Sequence, residues 1–331
     1  MPPVKVTYRV EPVVPEAARR ELTRLWSANL IAAGDVERKF DWLYREAPDR
    51  PEAAFLLGAH DGAEDSWVGT AGVGVRRVRA GGRELRAGLL ADLAVDKDHR
   101  TVAPALALVR AVKGWVFGDG GFDLAYGFPN RLAEGVFKRV GYAPLGTIGR
   151  WARVLRHAAY APRAVQAARR LELDWIDVAD ERIDAVWDAA KDEYEVAAVR
   201  TARFLTWRFP AAPEVSVVVA SARGGGPVAY AVVEQGGDGV AHLRDLFGTR
   251  EAVADLLDRL PPALYVRGAH SVSIRYLGDP WLVSALEARG FSRRDSSRVI
   301  TIGVSPELDD ASKAALVDAG SWHLTDADED A

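Results

Sequence analysis

The residues best suited to chemistry sit at one strand-to-helix junction, Arg100-Thr101-Val102-Ala103-Pro104-Ala105, which follows an apolar run. A helix N-terminus leaves its first backbone N–H groups unpaired, and with the helix dipole these converge on an anion. Small residues let a backbone approach a pyrophosphate closely; Ala103 and Ala105 are small, although alanine adapts to unusual dihedrals less readily than glycine. Pro104 supplies no N–H but suits a first helical turn. Arg100 adds a cation able to make a charge-assisted contact with phosphate. The same residues also suit a plain strand-to-helix junction that holds no ligand.

Other chemistries are excluded or unsupported. There is no cysteine, hence no disulfide, thiolate metal site or cysteine nucleophile. The six histidines, His60, His99, His157, His242, His270 and His323, lack ligand spacing, so no metal is expected. Gly224-Gly225-Gly226 reads as a hairpin turn rather than a phosphate cradle, because no helix follows it. A net charge of -4 argues against DNA or another bulk nucleic acid as partner. No signal-like start and no long apolar segment is present, so no membrane association and a cytoplasmic protein are expected.

The 331 residues are twice the roughly 150 of a typical domain. Periodicity predicts a strand over 6–10, helices over 16–32 and 36–45, and strands over 53–59, 68–78 and 85–95, the last two joined by a turn at Ala80-Gly81-Gly82. A main helix over 101–117 follows, then a short strand over 124–126, a helix over 131–140 and closing strands over 143–155.

The second half repeats this unit. Trp42-Leu43-Tyr44-Arg45-Glu46-Ala47-Pro48 and Trp207-Arg208-Phe209-Pro210-Ala211-Ala212-Pro213 both read W-x-(Y/F)-x-x-A-P. Asp92-Leu93 has a counterpart in Asp245-Leu246, and Gly141-Tyr142 in Gly290-Phe291, where glycine suits the left-handed cap of a helix. The expected organisation is an N-terminal domain over 1–156, a basic linker helix over 157–170, a C-terminal domain over 171–304, and an extension over 305–331 whose acidic end, 325–331, reads as a solvated, disordered tail.

The order β-α-α-β-β-β-α-β-α-β resembles the GCN5-related N-acetyltransferase family. Arg100 and Ala105 satisfy the ends of its (Q/R)-x-x-G-x-(G/A) pyrophosphate loop, with Ala103 in place of the central glycine, and Asn130-Arg131-Leu132-Ala133-Glu134-Gly135-Val136-Phe137 resembles its second cofactor-side motif. The fold class implied is α/β (α+β), two tandem units each with a mixed, mostly antiparallel sheet flanked by helices. The resemblance further implies acetyl-CoA or another acyl-CoA as co-substrate, held by Thr101, Val102, Ala103, Pro104, Ala105, Arg100 and Asn130, with the pantetheine arm pairing with the backbone around Leu93 and Val95. It places Asp92 where the family has a carboxylate that takes the amine proton; a structural aspartate bonded to backbone N–H groups fits the position equally. The family's thiolate-protonating tyrosine falls on Phe137, which leaves Tyr126 and Tyr142 as substitutes, or positioning alone with solvent as proton source.

The second half carries Glu251 and Asp255 near the corresponding helix start, where carboxylates repel a pyrophosphate. Three functions follow: an N-acyltransferase acting on a small-molecule amine such as an amino sugar or amino acid, with catalysis in the first half; an aminoacyl-tRNA-dependent transferase of the Fem type; or a non-catalytic binding protein. A homodimer is compatible with all three.

Overall fold

The structure, a computed structural model, describes residues 6–30, 34–61, 65–155, 162–295 and 298–329. The first unit runs β1 (Thr7–Val13), α1 (Arg19–Asn29), α2 (Val36–Phe40) continuing into a π-helical turn (Asp41–Arg45), β2 (Ala54–His60), β3 (Asp65–Ala80), β4 (Arg83–Val95), α3 (Val102–Val116), β5 (Leu124–Gly127), α4 (Arg131–Val140), β6 (Ala143–Thr147) and β7 (Gly149–Val154). This is the element order expected from periodicity. Local chemistry explains the joints. Gly81 and Gly82, at φ 56° and 81°, turn β3 into β4 with the positive dihedrals a two-residue hairpin needs. Asn130 caps α4 by accepting from the backbone N–H of Leu132 and Ala133, and Gly141 at φ 88° ends it.

The second unit repeats the series: α5 (Pro162–Arg170), β8 (Leu171–Ile176), α6 (Arg182–Ala190), β9 (Val196–Ala198), α7 (Ala202–Arg208), β10 (Val215–Ala222), β11 (Pro227–Gln235), β12 (Val240–Gly248), α8 (Arg250–Val266), β13 (Ser271–Gly278), α9 (Pro280–Glu287), β14 (Ser292–Arg294) and β15 (Val299–Val304). α10 (Asp310–Val317) and β16 (Trp322–Leu324) close the chain. The helix expected over 157–170 is present from Pro162; residues 157–161 lie outside the described residues.

The two units are interlocked. β5 pairs with β15, which pairs with β6, while β7 pairs with β13 and β14. Each sheet thus takes its penultimate strand from the other half of the chain, and sheet pairing crosses the boundary expected at 156. Through β9 and β16 the two sheets join into one of 16 strands. At the join, Trp42 and Trp207 stack at 4.5 Å with ring planes 7° apart, and each indole N–H donates to the other's backbone carbonyl, at 3.0 and 2.7 Å. The repeated tryptophan of the sequence motif thus pairs each copy with the other.

The acidic end of the chain overturns the expectation of a solvated tail. Thr325 and Asp328 are fully buried, and Asp326 and Glu329 nearly so. Each carboxylate meets an arginine from far away in sequence: Asp326 pairs with Arg244 (2.8 Å) and Arg275 (2.6 Å), Asp328 with Arg200 (2.8 Å), and Glu329 with Arg275 and Arg298 (both 3.1 Å). Arg200 also holds Asp245 at 3.1 Å, with neither side chain exposed. Burial would raise the Asp245 carboxyl, but Arg200, Tyr230 and Thr325 outweigh it and hold it below the usual range. For Asp328 burial wins and the carboxyl is raised. Charges buried this deeply are tolerated only when paired.

Candidate functional site

The site begins with a parting of strands. β4 and β5 run parallel from Ala87 opposite Leu124 to Leu90 opposite Gly127, and their pairing ends there. From Ala91 to Val95, β4 keeps only β3 as a neighbour among the described residues, and its register against β3 shifts between Thr70 and Gly72. Asp92 sits in this bulge at φ 55°, the left-handed region, where among the described residues every other positive φ belongs to glycine. A strained non-glycine dihedral is retained where surrounding structure holds it, often at functional positions.

The parting opens a cleft of about 880 Å³. Leu93, Val109, Val112, Ala133 and Phe137 line the side toward α3 and α4; Lys39, Gly72, Asp92, Phe128 and Arg298 line the other. The Asp92 side chain is almost wholly buried and forms a 2.8 Å ion pair with Lys39 of α2. Arg298 lies over the Phe128 ring at 5.8 Å and is held from behind by Glu329 of the C-terminal segment.

The predicted residues divide. Asp92, Leu93 and Asn130 line the cleft. Val95 lies further along the freed edge of β4, and its carbonyl accepts from Arg100 Nε at 2.9 Å. Arg100 Nη2 also donates to Asn29 (3.1 Å), so its guanidinium braces the loop from within. Thr101 is the N-cap of α3 but makes no capping side-chain bond, and the first turn, Val102, Ala103, Pro104 and Ala105, carries no acidic residue. Ala103 stands inside this turn, where dihedrals are helical and alanine is favourable. Tyr126 is fully buried between the halves, its hydroxyl donating to the Asp328 carbonyl at 3.4 Å. Tyr142 is packed edge-on against Phe137 at 5.4 Å; burial raises its hydroxyl pKa, and it does not line the cleft.

The second half shows what becomes of the same geometry without a cleft. β12 and β13 also part, after Leu243 opposite Ile274. There the chain's own end enters: β16 pairs with Leu277 and Gly278, His323 Nε2 bonds the Leu246 carbonyl (2.9 Å), and Thr325 donates to Asp245 (2.7 Å). The N-terminus of α8, counterpart of α3, is capped by Thr249, and the Arg250 N–H donates to the Glu193 carboxylate at 2.6 Å. Where the first copy has an open strand edge and an uncapped helix start, the second has filled both with its own groups.

Sequence reasoning missed Lys39, Arg298 and Phe128, which reach the site by tertiary packing. It also passed over Tyr44, although the W-x-(Y/F) motif already displayed the difference between the copies. Among the described residues no helix is long and apolar enough to cross a membrane, and no cluster of three histidine or acidic side chains could hold a metal.

No protein-family model matches the sequence, and no curated protein does. Solved structures do. A probable N-acyltransferase of unknown function from Enterococcus faecalis superposes with a TM-score of 0.69 at 12% identity, over 90% of this chain and 73% of that one. A GCN5-related N-acetyltransferase from Kribbella flavida gives 0.66 at 16% identity, over 97% and 82%. The Eis1 protein of Mycobacterium abscessus gives 0.62 at 15%, over 94% and 76%. The chain therefore has the fold of the GCN5-related N-acetyltransferases, and the likeness extends over both of its halves.

Proposed function

We propose that this protein is an N-acyltransferase that moves an acetyl or longer acyl group from acyl-CoA to the amine of a small molecule, with the transfer carried out in the first half. The observation that carries this reading is the asymmetry of the copies. Only the first keeps a strand parting that opens to solvent beside an uncapped helix start.

The residues present fit an acyl-CoA. The N-terminus of α3 offers the backbone N–H groups of Val102, Ala103 and Ala105 without a competing carboxylate, as a pyrophosphate requires. The freed edge of β4 at Leu93 offers main-chain groups to an extended amide-bearing arm, in the manner of an added strand. The co-substrate supplies an activated thioester carbonyl. Asp92, across the cleft from α3 and α4, is placed to take a proton from the acceptor's ammonium, with Lys39 fixing the carboxylate's orientation. Phe137 at the family's tyrosine position has no proton to give, and Tyr126 and Tyr142 are turned elsewhere. The thiolate is thus left to solvent or to the proton gained by Asp92.

The test is release of free thiol from acetyl-CoA in the presence of glucosamine, lysine or spermidine. Acceptor-dependent release that is lost in Asp92→Asn is expected; no release with any acceptor or acyl chain, together with no acyl-CoA binding, refutes the reading.

A further inference from the structure

Several buried polar atoms of the described residues have no hydrogen-bond partner, and beside the cleft the Tyr44 hydroxyl is one of them. The residue is 4% exposed. Its ring is clamped between Trp26, stacked at 6.1 Å and 11°, and Phe40 at 5.0 Å. A buried hydroxyl left unpaired is destabilising, and native structures seldom retain one without cause. It lies in the π-helical turn Asp41–Arg45, a helix irregularity that recurs at functional sites.

The hydroxyl faces the same point as Asp92. A Cβ built on Gly72 would stand 3.1 Å from Tyr44 Oη and 3.7 Å from Asp92 Oδ2, so both oxygens lie against the bare backbone of Gly72, with Tyr44 behind it rather than in the cleft lining. Gly72, Asp92 and Lys39 all line the cleft. The second copy has no such group. The matched motif position holds Phe209, and Asp245 receives its hydroxyl from Tyr230 of β11 at 2.7 Å, inside the half whose parting is filled. A tyrosine hydroxyl at the motif position thus accompanies the open cleft.

We propose that Tyr44 is the acceptor-binding residue of the site: its hydroxyl oxygen takes a hydrogen bond from a primary amine held against Asp92, and so aims the nitrogen lone pair at the thioester. The inference rests on the acyltransferase reading. The acceptor enters as an ammonium. One proton passes to Asp92, and the two remaining N–H bonds are held by Tyr44 Oη and the Asp92 side chain. The freed lone pair forms the C–N bond, the nitrogen gives a second proton to water as the C–S bond breaks, and the departing sulfur takes up the proton held by Asp92, leaving an amide with one N–H and a free thiol. Burial and the nearby Asp92 charge hold the Tyr44 hydroxyl protonated well beyond neutral pH, so it stays a neutral partner throughout.

Tyr44→Phe keeps the aromatic stack and removes only the oxygen. The expected result is an acceptor KM raised about tenfold, the size of one lost hydrogen bond, with acetyl-CoA affinity at its wild-type value and a thermal midpoint raised by loss of the unpaired hydroxyl. A second readout needs no acyl donor. Calorimetric titration with butylammonium chloride should show about tenfold weaker binding to Tyr44→Phe, while tetramethylammonium, which has no N–H, binds both proteins alike. Unchanged acceptor kinetics, equal butylammonium binding, or a midpoint lowered in the variant would each overturn the assignment to Tyr44. Failure of the wild type to bind any acyl-CoA would instead remove the reading beneath it.

Discussion

Acidification from pH 7.5 to 5 should destabilise this protein through one histidine. His323 is 1% exposed, boxed by Tyr194, Phe247 and Tyr276 with ring centroids at 4.8, 5.5 and 5.4 Å, and bonded through Nε2 to the Leu246 carbonyl. Burial, helped by Arg200 and opposed by Asp245, lowers its pKa to about 3. In the unfolded chain it titrates near the ordinary histidine value of 6.5. Between these values the unfolded state binds the extra proton, so stability is fully present above pH 6.5 and falls as the pH drops toward 3. At about 1.36 kcal/mol per unit, the loss from this histidine reaches about 2 kcal/mol at pH 5. His242, lowered by burial and Arg244, adds a smaller change of the same sign. The assay is urea unfolding followed by tryptophan fluorescence. His323→Phe keeps the aromatic box but gives up the bond to Leu246, and should be about 1–3 kcal/mol less stable than wild type at pH 7.5, with the gap largely closed at pH 5. A wild type equally stable at both pH values, or a variant that loses as much as the wild type, refutes the account of His323 as a buried neutral ring.

Two further perturbations probe the frame around the site. Trp207→Ala removes the stack on Trp42, the reciprocal indole bonds and the ring under Arg76 at 4.6 Å, and should cost about 3–5 kcal/mol in the same unfolding assay. Ending the chain at Leu324 strips Asp328 from fully buried Arg200 and Glu329 from Arg298 at the cleft. A loss of about 3–5 kcal/mol is expected by chemical denaturation, and a truncated chain as stable as the full one contradicts the burial of the C-terminal segment.

What the sequence disclosed was local. Helix ends at Gly141 and Gly290, the Gly81-Gly82 hairpin and the order of elements follow from chemistry carried within a few residues, and all appear in the structure. The acidic end misled because composition alone reads as solvated, whereas its partners Arg200, Arg244 and Arg275 lie more than 50 residues earlier and converge only after folding. The exchange of β7 and β15 between sheets was equally hidden, since an alternating strand does not specify which edge it joins. At the site, Asp92 stood out by its place after an apolar run. Its partner Lys39 is one of two cations on a short helix, and nothing in the sequence singles it out. Tyr126 and Tyr142 were attractive for their hydroxyls, but strand alternation turns the first toward the C-terminal segment and packing encloses the second.

The central claim is that one half of the chain, and only one, holds an acyl-CoA at the start of α3. Calorimetric titration of the wild type and of Ala103→Glu with acetyl-CoA and longer acyl-CoAs tests it most directly. A carboxylate at Ala103 favours the helix dipole and leaves the fold intact, yet opposes a pyrophosphate at that helix start. The account predicts one acyl-CoA per chain, with affinity lowered at least about tenfold in the variant. Two equivalents per chain, or equal affinity in both proteins, would contradict it.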